Sequence, residues 1–194
     1  MTDGEKPRGR QAVMDALLDA AGMLFAKRGT AAVSVRDIAT EAGVNHGLIH
    51  RHFGSKQALL RAVMHKLTSE ISGAIEDQGQ VTKAPPSFFA SAQHDRYWRV
   101  LARALLDGED PRDMQKDFPV VRRIVEETRA AQERGKLASD VDVRLLTAMG
   151  VALGLGWLVF EPFIHAATQL GEEDSSALRA QAFVTWRKML AALK

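Results

Sequence analysis

The 194-residue sequence contains no cysteine, which removes disulfides, thiolate zinc sites and thiol nucleophiles from consideration. That composition fits a reducing cytoplasm. The first ten residues, MTDGEKPRGR, hold no apolar run of the kind a secretory signal needs. No segment alternates apolar and polar residues with period two, so strands are not expected and the pattern reads as all-α. An excess of charge is missing too: the net charge is +2 although the pI is near 9.0. Any nucleic-acid binding must therefore use a local basic surface. With 46% hydrophobic and 26% charged residues, the chain is long enough for a small domain and a larger one.

What is present is concentrated in residues 34–56, SVRDIATEAGVNHGLIHRHFGSK. Ser34 is a good N-cap, and Asp37 nearly completes a capping box while adding negative charge to a first turn. Val35, Ile38, Ala39 and Ala42 recur at spacings of three and four, predicting a helix over 35–42 with one apolar face and with Arg36 and Glu41 outside. Gly43 supplies a turn that can take positive φ, and Asn45 caps a second helix. On that helix Ile49 and Phe53 point inward, leaving His46, Leu48, His50 and Arg51 outside. Gly54 ends it and Ser55 caps the next. Two helices joined by a short glycine-containing turn, the second rich in donors, form the unit whose second helix enters a DNA major groove.

The motif resembles that of the tetracycline-repressor (TetR) family of bacterial one-component regulators. Members read like T-V-R-D-I-A-x-x-A-G-V-S-x-G-T-L-Y-x-H-F-x-S-K-x-x-L, and the chain departs mainly at Asn45, Leu48, Ile49 and His50. Asn still caps and Ile still packs. At His50 the family's usual Tyr contacts a DNA phosphate through its hydroxyl, a role His can fill only through a ring N–H. The resemblance is tight over residues 10–66; beyond them it is one of length and architecture. It implies a three-helix reader over residues 1–55 and a larger helical effector-binding and dimerisation domain over 56–194, about nine helices in all. It also implies a homodimeric repressor of palindromic double-stranded DNA, paired through its last two helices and released by a small molecule.

Elsewhere the periodicity is helical. Val13, Leu17, Ala20, Ala21 and Leu24 predict a first helix ending at Gly29 after Lys27 and Arg28. Leu59, Leu60, Val63, Met64, Leu67 and Ile71 predict a longer helix from Lys56 that couples the reader to the rest. Residues 78–87, QGQVTKAPPS, read as a connection, followed by a helix over 88–106 that breaks at 108–111. Further helices are expected over 120–134, from Asp140 and Asp142 onward, and over 175–193, where Leu178, Ala182, Phe183, Trp186, Met189 and Leu190 share one side.

Residues 145–164, LLTAMGVALGLGWLVFEPFI, form the longest apolar run, long enough to span a membrane. Gly150, Gly154, Gly156, Glu161 and Pro162 weigh against a span, and the flanks lack an aromatic belt with basic anchors. A buried dimer helix explains the run better, because small residues let helices approach closely and a helix apolar on nearly all sides must be covered on nearly all sides. The family resemblance implies that 140–167 and 175–193 are the pairing helices.

For DNA contact the candidates are Arg10, Ser34, Arg36, Asn45, His46, Leu48, His50, His52 and Lys56. Arg, Lys and ring N–H groups suit phosphates, Ser34 and Lys56 sit at helix N-termini, Asn45 suits adenine or a cap, and Leu48 offers apolar contact to a thymine methyl. The arm Lys6, Arg8, Arg10 suits a minor groove, or else is a solvated terminus. His46 and His50 lie four apart, but Gly47 stands where a zincin motif needs Glu, so no metal is assigned. No nucleophile with its base and no phosphate-cradling glycine loop is recognisable, so neither enzyme chemistry nor a cofactor is expected. An effector pocket would be lined by Trp98, Leu101, Leu105, Val121, Val125, Trp157 and Phe160, with Glu161 binding a cationic ligand, pairing with an arginine or facing solvent. A regulator that answers to no ligand, or a membrane-anchored sensor, are the other readings.

Overall fold

A computed structural model describes residues 7–77, 94–170 and 174–191, with the side chains of 72–77, 187, 190 and 191 left aside. Nine helices and no strands occur among these residues: α1 (Arg10–Arg28), α2 (Val35–Glu41), α3 (Gly47–Phe53), α4 (Lys56–Asp77), α5 (Asp95–Leu106), α6 (Pro111–Met114), α7 (Pro119–Glu133), α8 (Val143–Thr168) and α9 (Ser175–Ala191). The connection over 78–87, the start of the helix expected at 88 and Lys6 lie outside the described residues. The chain divides into two compact units, the first made of Met1–Ser69 with Arg99–Lys116, the second of Glu70–Trp98 with Asp117–Lys194.

In the first unit the apolar stripes close as their spacing requires. Val13, Leu17, Ala20, Ala21 and Leu24 of α1 are buried, as are Ile38 and Ala39 of α2, Ile49 of α3 and Leu59, Leu60, Val63, Met64 and Leu67 of α4. Phe25 and Leu17 are fully enclosed, and burying side chains of this size stabilises by about 1.5–3 kcal/mol each. Val35, Ala42 and Phe53 are only half-buried. From α5 the same unit takes Val100, Leu101, Ala102 and Ala104, all buried. The stretch read as a helix break contains one turn of its own: Asp110 accepts the Arg112 N–H at 2.7 Å and Pro111 occupies the first helical position, where its missing N–H costs nothing.

The second unit holds the apolar helix. The Asp142 carboxylate caps α8 by accepting from the N–H groups of Arg144 and Leu145, and α7 packs against α8. On α7 the buried positions are Val120, Ile124 and Thr128. Val121 and Val125, expected inward, are half-buried, one residue out of step with the fully buried line. Thr128 fits the interior because its hydroxyl donates to the Ile124 carbonyl at 2.7 Å. On α8 the inward line is Val143, Thr147, Gly150, Gly154 and Leu158. A Cβ on Gly150 would stand 3.2 Å from the Trp186 ring, so the missing side chain lets α9 close on α8. Leu145, Met149, Phe160 and Phe163 of α8 and Val184 and Met189 of α9 are exposed. α8 is long and apolar enough to cross a membrane, with a mean hydropathy of 1.8 over its most apolar window.

Candidate nucleic-acid interface

α2 and α3 are short, so their ends decide their positions. At the start of α2, Ser34 Oγ accepts the Asp37 N–H at 3.1 Å, and Asp37 accepts the Ser34 N–H at 2.9 Å. This completes the capping box that the sequence only approached. Those bonds, the backbone N–H of Ser34 first and its hydroxyl second, hold the Asp37 carboxyl below its ordinary value against a small opposing effect of burial, with Arg28 adding a coulombic pull. At the other end the Val44 N–H reaches Ala39 O at 2.9 Å and the Gly43 N–H reaches Thr40 O at 3.1 Å. This is a Schellman closure, with Gly43 at φ 66° as the left-handed residue it requires.

The next turn hands the chain to α3. Asn45, which is exposed, accepts the Gly47 N–H on its Oδ1 at 2.8 Å, an Asx turn one residue before the His46 N-cap position. Ile49 is fully buried and pins the helix to the core. With that anchor fixed, Asn45, His46, His50 and Arg51 are exposed, and Leu48 and His52 are half-buried. The Gly54 N–H closes α3 on the His50 carbonyl at 3.0 Å, and the His50 ring Nδ1 bonds the Gly54 carbonyl at 3.1 Å. Arg10 and Arg36 are exposed at the starts of α1 and α2. Lys56 has a structural role that its place at a helix start does not suggest. Its ammonium is half-buried and donates to Thr30 O at 2.8 Å and Val33 O at 3.1 Å, so it ties down the α1–α2 loop.

That loop is held from a second side by residues no local pattern reveals. Asp107, just past α5, accepts the Ala31 N–H at 2.9 Å and the Thr30 hydroxyl at 3.1 Å, and Arg103 Nε donates to Ala26 O at 3.0 Å. Burial opposes the charge on Asp107, but the N–H of Ala31, the hydroxyl and N–H of Thr30 and the Arg103 cation outweigh it and lower its pKa. Gly29 makes room: its φ is 84°, and a Cβ there would lie 2.6 Å from Asp107 Oδ2. These partners lie 76 and 77 residues apart in sequence, so no spacing could have announced them.

Of the proposed effector residues, Trp98, Leu101 and Leu105 follow one another along α5; Leu101 is buried and Leu105 is 37% exposed. Trp98 is fully buried in the second unit, edge-on to Tyr97. Phe160 is 59% exposed and turns away from the interior. Glu161 takes the arginine alternative: Arg179 of α9, 3% exposed, lies 3.6 Å from it and 3.1 Å from Asp95. Trp157, one turn before Glu161, stands edge-on to His165.

Residues 17–63 match the profile of the bacterial regulatory proteins of the tetR family. The chain is 41% identical over 179 residues to the HTH-type transcriptional repressor Rv3405c of Mycobacterium tuberculosis, covering 92% of this chain and 89% of that protein. Over a shorter stretch, 29% of this chain and 28% of the other, it is 40% identical to the HTH-type transcriptional repressor KstR2 of Rhodococcus jostii. The fold is shared with the regulator FadR from Bacillus subtilis, solved with stearoyl-CoA, at a TM-score of 0.69 and 17% identity, covering 91% of this chain and 97% of that one. The α2–α3 geometry and these relationships agree: the chain is a DNA-binding transcriptional regulator and belongs to the TetR family.

Proposed function

We propose that the chain is a homodimeric repressor of a palindromic operator, acting in the cytoplasm and released from DNA by a small-molecule effector. The observation that carries the reading is α3, anchored by the fully buried Ile49 and presenting Asn45, His46, His50 and Arg51 to solvent. A helix so pinned can lay its exposed edge in a major groove while Arg36 and Arg10 meet the flanking phosphates.

Pairing is supported by the outer face of α8 and α9, where Leu145, Met149, Phe160, Phe163, Val184 and Met189 are exposed. A second copy covers such a face at lower cost than water does. Lipid is the poorer cover, since Glu161 lies within α8 in an ion pair with Arg179. Phe160 belongs to this pairing face, leaving Trp98, Trp157 and Glu161 of the second unit as the residues through which an effector acts. Effector binding favours the conformer whose two readers no longer match half-sites about 34–36 Å apart.

The test is a titration of duplex DNA with the wild type and Arg36→Ala across a salt series. We expect two chains per duplex, and a slope of log affinity against log salt that is shallower in the variant by about 0.9 for each phosphate it no longer neutralises. One chain per duplex, or an unchanged slope, contradicts the corresponding part of the proposal.

A further inference from the structure

The geometry points to His50 as a proton-gated DNA contact, one that holds a phosphate only as imidazolium, so that operator binding takes up a proton. This rests on the reading of α3 as the DNA-facing helix. The Gly54 carbonyl can only accept, so the ring nitrogen 3.1 Å from it, Nδ1, must carry the hydrogen. That carbonyl belongs to the residue that closes α3, with φ 80°, ψ −47° and its own N–H on the His50 carbonyl at 3.0 Å.

In a neutral imidazole one nitrogen carries the hydrogen and the other a lone pair. With Nδ1 donating to Gly54, the outward Nε2 of exposed His50 is therefore an acceptor, and an acceptor facing a phosphate oxygen repels it. Adding one proton from solvent to Nε2 reverses this. The ring then keeps its bond to Gly54 and gains a positively charged N–H, the stronger kind of donor to a phosphate. A neutral ring has no such option without breaking the Gly54 bond.

The ionisable groups of the neighbouring segments are His46, Arg51 and His52 on α3, Arg36 and Asp37 on α2, and Lys56 at the start of α4. Asp37 is engaged by Ser34 and lies 3.9 Å from Arg28, and Lys56 is engaged by two carbonyls. The charge that favours a protonated His50 is then the DNA's own, and binding and protonation reinforce each other.

Two measurements on the full-length protein test this. Duplex affinity is measured from pH 5.5 to 8.5, spanning the range in which histidine ordinarily titrates. We expect the wild type to weaken by up to tenfold per pH unit within that range, and His50→Gln, whose amide donor does not titrate, to lose most of that slope. His46→Gln and His52→Gln should keep it. Ring-nitrogen NMR of the free protein at pH 8.5 should show His50 protonated at Nδ1. A His50→Gln variant with the full wild-type slope, a pH-independent wild type, or a neutral ring protonated at Nε2 overturns the inference. If no duplex is bound at any pH, the DNA reading beneath it fails instead, whatever tautomer the ring shows.

Discussion

Gly29→Ala should damage the reader without touching DNA, and its cost can be worked from two separable effects. Gly29 sits at φ 84° and ψ 169°, a region that residues with a Cβ enter at a cost of about 1–3 kcal/mol. The new methyl would also stand 2.6 Å from Asp107 Oδ2 and 3.3 Å from its Cγ, so the carboxylate must move. Moving it releases the Ala31 N–H and the hydroxyl of Thr30, a residue only 2% exposed, at a further cost of about 1–2 kcal/mol. The single variant should lose about 2–5 kcal/mol in total. Asp107→Ala alone should lose about 1–2 kcal/mol. In the Asp107→Ala background only the backbone strain remains, so the two losses should fall short of additivity by about 1–2 kcal/mol. Urea unfolding followed by far-ultraviolet circular dichroism, with amide exchange over residues 20–40, is the suitable assay. A Gly29→Ala variant within about 0.5 kcal/mol of wild type, or fully additive losses, would refute the reasoning.

Other perturbations follow from the same geometry. Ser34→Ala breaks the capping box and should cost about 1 kcal/mol in urea unfolding, with Ser34→Thr close to wild type. Lys56→Met leaves the carbonyls of Thr30 and Val33 without their ammonium and should cost about 1–3 kcal/mol. Its operator-binding salt slope should stay at the wild-type value, whereas a fall of about 0.9 would show that Lys56 also grips a phosphate. Asp37 and Asp107 have pKa values lowered by folding, so their stabilisation is complete above the ordinary carboxylate value of 3.8 and is lost as pH falls through the lowered values. The stability gap between wild type and Asp107→Asn should therefore narrow as the pH falls below about 4, and a gap that does not change with pH would contradict the assignment.

Much of the reader is legible in sequence because its determinants are local. Caps, the Gly43 closure and the apolar stripes of α1 and α4 each act within a turn or two, and α1 and α4 bury the residues their spacing selects. The rest depends on approaches between residues far apart along the chain. Asp107 reads as a polar residue before Gly108, and only the fold brings it to Thr30. Lys56 reads as a free cation at a helix start, a natural phosphate ligand, until two loop carbonyls converge on it. On α7 the run PVVRRIVEET offers apolar residues in adjacent phases. The buried phase is the one ending in Thr128, whose polarity is hidden by a bond to its own helix. Pro111 reads as a breaker yet opens α6, because proline ends a helix before it and can start one after it.

The central claim is that α3 reads DNA on behalf of a symmetric pair. Selection of bound sequences from a random duplex pool by the full-length protein tests it most directly. The account predicts an enriched site with two-fold symmetry, its half-sites one helical turn or a whole number of turns apart, and altered bases within each half-site for a Leu48→Arg variant. No enriched sequence, a site without two-fold symmetry, or a Leu48→Arg site identical to that of the wild type would contradict it.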